Sequence, residues 1–114
     1  SSSFRGQLTL VDCAGSERKE DNAYHTAEQR KEGAEINASL YALKECIRHR
    51  RMRLEGGRRV HIPFRQHLLT RILRECFVQE SARIAVVGTL SPSSADIEHS
   101  ISTLRMVSLL GGAG

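Results

Sequence analysis

The sequence predicts an α/β fold with the element order strand, helix, helix, strand, helix. Three observations predict it. Gln7 to Asp12 alternates and then runs apolar, as a strand partly buried in a sheet does. Ile36, Leu40, Leu43 and Ile47 recur at i, i+4, i+7 and i+11, one apolar stripe of a helix. Arg83 to Leu90 is a short, nearly continuous apolar run, which suits a central strand covered on both faces. Two strands cannot cover three amphipathic helices, so the sheet is expected to be partial.

The elements follow in order. Ser1 to Ser3 reads as a frayed start, and residues 7–12 as the first strand. Residues 16–29 are polar and charge-rich, a long loop with some helix near its end. Residues 30–50 are the best helix. Residues 51–62, with Gly56-Gly57 and many arginines, read as a loop. Pro63 precedes a helix starting near Phe64 to Gln66, with Leu69, Ile72, Leu73 and Cys76 as its apolar face. Residues 83–90 are the second strand. Ser91-Pro92-Ser93-Ser94 turns into a last helix with Ile97, Ile101 and Leu104 as its stripe.

The bulk numbers bound the answer. At 114 residues the chain is at most one small domain. Hydrophobic residues make up 39% and charged residues 26%, so the composition is that of an ordinary globular protein. Cys13, Cys46 and Cys76 are odd in number and far apart, which excludes a disulfide framework and a Cys-x-x-Cys pair. Reduced thiols are expected. The five histidines show no zinc spacing. No apolar run approaches the ~20 residues that span a bilayer.

Two constellations carry chemistry. The first is Asp12-Cys13-Ala14-Gly15-Ser16-Glu17, directly after the first strand. Asp offers a hard oxygen to Mg²⁺ or its water, and Gly leaves its N–H open to a phosphate. Taken alone, the same residues also suit an ordinary strand-ending turn. The second is electrostatic. Lys44, Arg48, Arg50, Arg51, Arg53, Arg58 and Arg59 stand against Glu45 and Glu55, a local excess above the whole-chain charge of +4. Such a run attracts polyanions or is simply a solvated basic loop. Stacking aromatics are not interleaved with it, so a nucleic-acid partner is not expected.

Four motifs in order resemble the C-terminal third of a kinesin motor domain. They are the Asp12 to Glu17 turn; Glu32-Gly33-Ala34-Glu35-Ile36-Asn37 with Ala42-Leu43-Lys44-Glu45-Cys46-Ile47-Arg48; His61-Ile62-Pro63-Phe64-Arg65 with Leu69-Thr70-Arg71-Ile72-Leu73; and Ser102-Thr103-Leu104-Arg105. The second run is most similar to the kinesin-13 branch, which dismantles microtubule ends. The resemblance implies a kinesin-type P-loop NTPase sheet, here partial, with residues 1–114 as one partial domain lacking the N-terminal strands. It implies that Asp12 to Glu17 is switch II. Asp12 would then hold Mg²⁺ through water, Gly15 would donate its N–H to the γ-phosphate of ATP, and Glu17 would serve catalysis by placing the lytic water.

The resemblance also implies that Lys44, Arg48, Arg50, Arg51, Arg53, Arg58, Arg59 and Arg65 face microtubules, whose tubulin surface is acidic. It places the protein on the cytoplasmic microtubule cytoskeleton. Homodimerisation would run through segments outside these residues. No G-x-x-x-x-G-K-[ST] loop occurs among them, so they are expected to be inactive as an ATPase by themselves. The alternative is a non-catalytic microtubule-binding module derived from such a motor. The chain departs from the family pattern at Cys13, which replaces Leu, at Ala38 and Leu68, which stand where the family has lysines, and after Arg105, where Met106-Val107-Ser108-Leu109-Leu110 runs into glycines.

Overall fold

The computed structural model describes residues 3, 5–15, 26–56 and 59–111. Its elements are α1 (Ala27–Gly56), a 3-10 turn (Phe64–Gln66), α2 (Leu68–Ile72), α3 (Arg74–Val78), a second 3-10 turn (Ser94–Asp96) and α4 (Ile97–Gly111). The molecule measures 59 × 32 × 29 Å. The 30 residues of α1, at about 1.5 Å of rise each, span ~45 Å.

Helix α1 starts at a reciprocal cap. The Gln29 N–H donates to Thr26 Oγ1 at 3.2 Å, and the Thr26 N–H donates to Gln29 Oε1 at 3.0 Å. This capping box satisfies two backbone donors that the first turn leaves unpaired. Glu28 in the first turn and Arg53 in the last complement the helix dipole. The helix therefore begins earlier and ends later than residues 30–50. The segment 51–56, expected as loop, is its last turns, with Gly56 at the end.

The stripe read from the sequence faces inward. Ile47 is buried, Ile36, Leu40 and Leu43 are half-buried, and Ala42 and Cys46 complete the face. Cys46, Ile47, Ile62, Leu73 and Phe77 form the core, with Leu43, Phe64, Leu69, Ile84 and Leu110 packed around it. The core thus lies between the C-terminal half of α1 and the arm α2–α3.

The expected strand-containing α/β sheet is not formed by the described residues, which contain helices and no strand. Residues 7–12 and 83–90 pair with no strand among the described residues. Leu8 is 83% exposed and Val87 is 86% exposed. A strand exists only through a neighbour that accepts its N–H and C=O groups, and apolar pattern alone supplies no neighbour. Residues 83–90 are also not buried on both faces; Ile84 alone is half-buried.

Helix α4 corrects a second expectation. Ile97, Ile101 and Leu104 point outward, 53%, 42% and 51% exposed. The half-buried face is His99, Thr103, Met106, Val107 and Leu110. A Cβ built on Gly88 would lie 2.6 Å from Val107 Cγ2 and 3.2 Å from Thr103 Cγ2. The absence of a side chain at 88 therefore lets α4 lie against the 82–90 segment by its mixed face.

Candidate microtubule-facing surface and phosphate-sensing turn

The link from α1 to α2 is built around Pro63. The Phe64 N–H donates to Ile62 O at 2.9 Å, and Pro63 has φ −82° and ψ 60°. This is an inverse γ-turn, to which the proline ring contributes a fixed φ. It turns the chain so that Ile62 enters the core while Arg65 stays exposed. The wholly buried Thr70 hydroxyl secures the turn, with Phe64 O at 2.6 Å and His67 O at 3.1 Å. The guanidinium groups of Arg65 and Arg74 lie 5.8 Å and 5.7 Å from the Phe64 ring centroid, within cation–π range.

The basic residues divide into two groups. Arg48 donates to Glu45 Oε2 at 2.9 Å. That hydrogen bond holds the Glu45 carboxyl below its ordinary pKa and raises that of Arg48. Arg50 Nη2 donates to Ala82 O at 2.7 Å and Gln79 O at 3.2 Å. Arg51 Nε donates to Glu55 Oε1 at 3.0 Å, and its Nη1 reaches Leu109 O at 3.4 Å. These three arginines have partners within the fold. Arg53, Arg59 and Arg65 are exposed and have no ionic partner among the described residues. Lys44 is half-buried on α1. Lys44, Arg48 and Arg51 also line an open groove of about 430 Å³ with Met52, Leu109 and Leu110, between α1 and the end of α4. Arg58 lies outside the described residues.

Asp12 and Gly15 are exposed and belong to no helix or strand. Glu17 lies outside the described residues. Among the described residues, no group of three or more His, Cys, Asp or Glu side chains converges as a metal site. Asp12 supplies one hard oxygen, which fits one position of a magnesium shell and does not complete one.

Sequence reasoning missed the partners of Arg50 and Arg51. No local signal carries them, because the carbonyls they bind are 29, 32 and 58 residues away. Sequence reasoning missed the Thr26–Gln29 cap as well, reading residues 16–29 as mostly loop; Thr-x-x-Gln before an apolar-periodic run is the signal that marks it.

A profile of the kinesin motor domain matches residues 1–109. The chain is similar to "Diatom spindle kinesin-1" of Cylindrotheca fusiformis, 46% identical over 102 residues. That alignment covers 90% of this chain and 15% of the relative.

Proposed function

This chain belongs to the kinesin motor domain family, and on that premise we propose that it is the C-terminal portion of a microtubule motor ATPase, from switch II to the last helix. In this reading Asp12, Gly15 and Glu17 are its share of the ATP–Mg²⁺ site. The basic surface between α1 and α2 is its share of the tubulin contact. The observation that carries the reading is the exposure of Arg53, Arg59 and Arg65 around a link whose shape is set by Pro63 and Thr70. Long-range attraction to an acidic lattice needs cations that are not already neutralised. Arg48, Arg50 and Arg51 are engaged internally and contribute less.

The finer assignment is kinesin-13-like depolymerisation of microtubule ends. It rests on the run Glu32 to Asn37 followed by Ala42 to Arg48. The relative's name places that protein at the spindle, and spindle microtubules are the proposed track here.

Co-sedimentation of the full-length protein with microtubules over a salt series tests the surface. The triple variant Arg53→Ala, Arg59→Ala, Arg65→Ala is expected to bind more weakly, most clearly at low salt. Exposed charges act over about 10 Å at ~0.1 M ionic strength and are screened beyond it. Unchanged affinity and salt slope would return these arginines to the role of a solvated surface. Microtubule binding without microtubule-stimulated ATP turnover would favour the non-catalytic module. Shortening of stabilised microtubules, rather than movement along them, is the expected outcome that distinguishes the depolymerising branch.

A further inference from the structure

Arg50 sits two turns before the end of α1, half-buried, and it does not face an acid. A single nitrogen, Nη2, donates to Ala82 O at 2.7 Å and to Gln79 O at 3.2 Å. Those carbonyls flank the turn that ends α3. Gln79 leaves the helix with φ −81° and ψ 121°, and its N–H donates to Glu75 O at 3.1 Å. The Ala82 N–H closes the turn onto Gln79 O at 3.2 Å. Gln79 O is therefore shared by an arginine and a backbone donor. The C-terminal end of a helix presents unpaired carbonyls and partial negative charge, so a cation is favoured there.

The consequence is mechanical. The arm α2–α3 packs on α1 through Leu69, Leu73 and Phe77. Apolar packing alone leaves sliding cheap, whereas two directed bonds to one guanidinium fix position along the helix. Arg50 supplies that fix at the far end of the arm, and the Pro63–Thr70 turn supplies it at the near end. Arg71 and Arg74 ride on the arm between these two points, and Arg65 stands in the turn at its near end.

We propose that Arg50 is a positioning residue: it clamps the turn 79–82 to α1, so that the arm bearing Arg71 and Arg74, with Arg65 at its near end, is held in one register, and it makes no direct contact with the microtubule. The microtubule half of this statement rests on the function proposed above; the clamp itself does not.

Lysine separates geometry from charge. Arg50→Lys keeps the positive charge but has a compact, strongly hydrated head in place of the planar fork. The experiment compares the full-length protein with Arg50→Lys, Arg50→Ala and Arg53→Ala, by amide hydrogen exchange without microtubules and by co-sedimentation over a salt series. Exchange at the Gln79 and Ala82 amides is expected to accelerate about tenfold in both Arg50 variants, matching the loss of one charge-assisted hydrogen bond. It should stay unchanged in Arg53→Ala. Microtubule affinity is expected to fall in both Arg50→Lys and Arg50→Ala, with the salt slope kept in Arg50→Lys, which retains the charge. Unaltered exchange in both Arg50 variants overturns the clamp. So does an Arg50→Lys protein that matches the unsubstituted one in exchange and affinity while Arg50→Ala is weakened, because charge alone would then suffice. If the unsubstituted protein does not pellet with microtubules, the function proposed above fails, and the exchange result still decides the clamp.

Discussion

Gly88 and Val107 meet so closely that a methyl group on the glycine would stand 2.6 Å from Val107 Cγ2. This contact seats α4 on the extended segment that precedes it. Gly88→Ala is therefore expected to force α4 outward and to cost about 1–3 kcal/mol, the range for overpacking. Urea unfolding of the full-length protein measures it. Gly88→Ala combined with Val107→Ala should recover part of the loss, since the second change removes the clashing methyl. Equal stability of Gly88→Ala and the unsubstituted protein would mean that α4 does not lie this close.

The buried Thr70 hydroxyl is predicted to matter through the carbonyl it serves. His67 O also accepts from the Arg71 N–H at 3.0 Å, so it keeps a partner without the threonine. Phe64 O, at 2.6 Å from Thr70 Oγ1, opens the 3-10 turn Phe64–Gln66, so the hydroxyl ties that turn to α2. Thr70→Val preserves shape and removes the hydroxyl's bond to that carbonyl, at a cost of about 0.5–1.5 kcal/mol. Thr70→Ser should be much milder. Denaturant midpoints of the two variants decide between a polar and a purely steric role.

At the start of α1, Thr26→Ala removes the cap and should destabilise the first turn by about 1 kcal/mol. Amide exchange is the measurement, with faster exchange confined to the first turn. Thr26→Ser should retain protection. Uniform loss along all of α1 would show that the cap governs the whole helix rather than its end.

Cys46 and Cys13 are expected to differ sharply toward thiol reagents. Burial pushes the Cys46 thiol up to about 11, with a further push from the Glu45 carboxylate. Its thiol stays neutral and enclosed at pH 7, while Cys13 is exposed. Pulse labelling with a maleimide near neutral pH should modify Cys13 and spare Cys46 until the protein unfolds. The stability linkage has a definite sign. The folded pKa is raised, so this contribution is complete below the ordinary thiol pKa of 9.0 and is lost as pH climbs toward 11.

Glu17→Ala in the full-length protein is expected to stop ATP turnover and leave nucleotide binding largely intact. The family resemblance assigns Glu17 to the hydrolytic step, and a group acting on the transition state changes rate more than affinity. Single-turnover hydrolysis is the readout. A rate equal to that of the unsubstituted protein would remove Glu17 from the mechanism.

Local regularities were legible in the sequence. The stripe Ile36, Leu40, Leu43, Ile47 set which face of α1 turns inward, because a helical period needs only its own residues to be seen. Pro63 marked the turn into the arm, and Ser91 to Ser94 marked the turn into the last helical segment, within which the Ser93 side chain accepts from the Ala95 N–H. The ordered motifs from Asp12 to Arg105 were sufficient to place the chain in its family.

Other features needed the tertiary structure, because each depends on a partner distant in the chain. Residues 83–90 have the pattern of a buried strand, yet a strand requires a second backbone to pair with, and pattern does not provide one. The apolar stripe Ile97, Ile101, Leu104 looked like the packing face of α4. The close approach at Gly88 instead turned Thr103 and Val107 inward. The arginines of α1 looked alike as a run of charge. Whether each meets solvent, a carboxylate or a backbone carbonyl depends on which groups the fold brings within about 3 Å, the reach of a hydrogen bond. For Arg50 those groups are the carbonyls of Gln79 and Ala82.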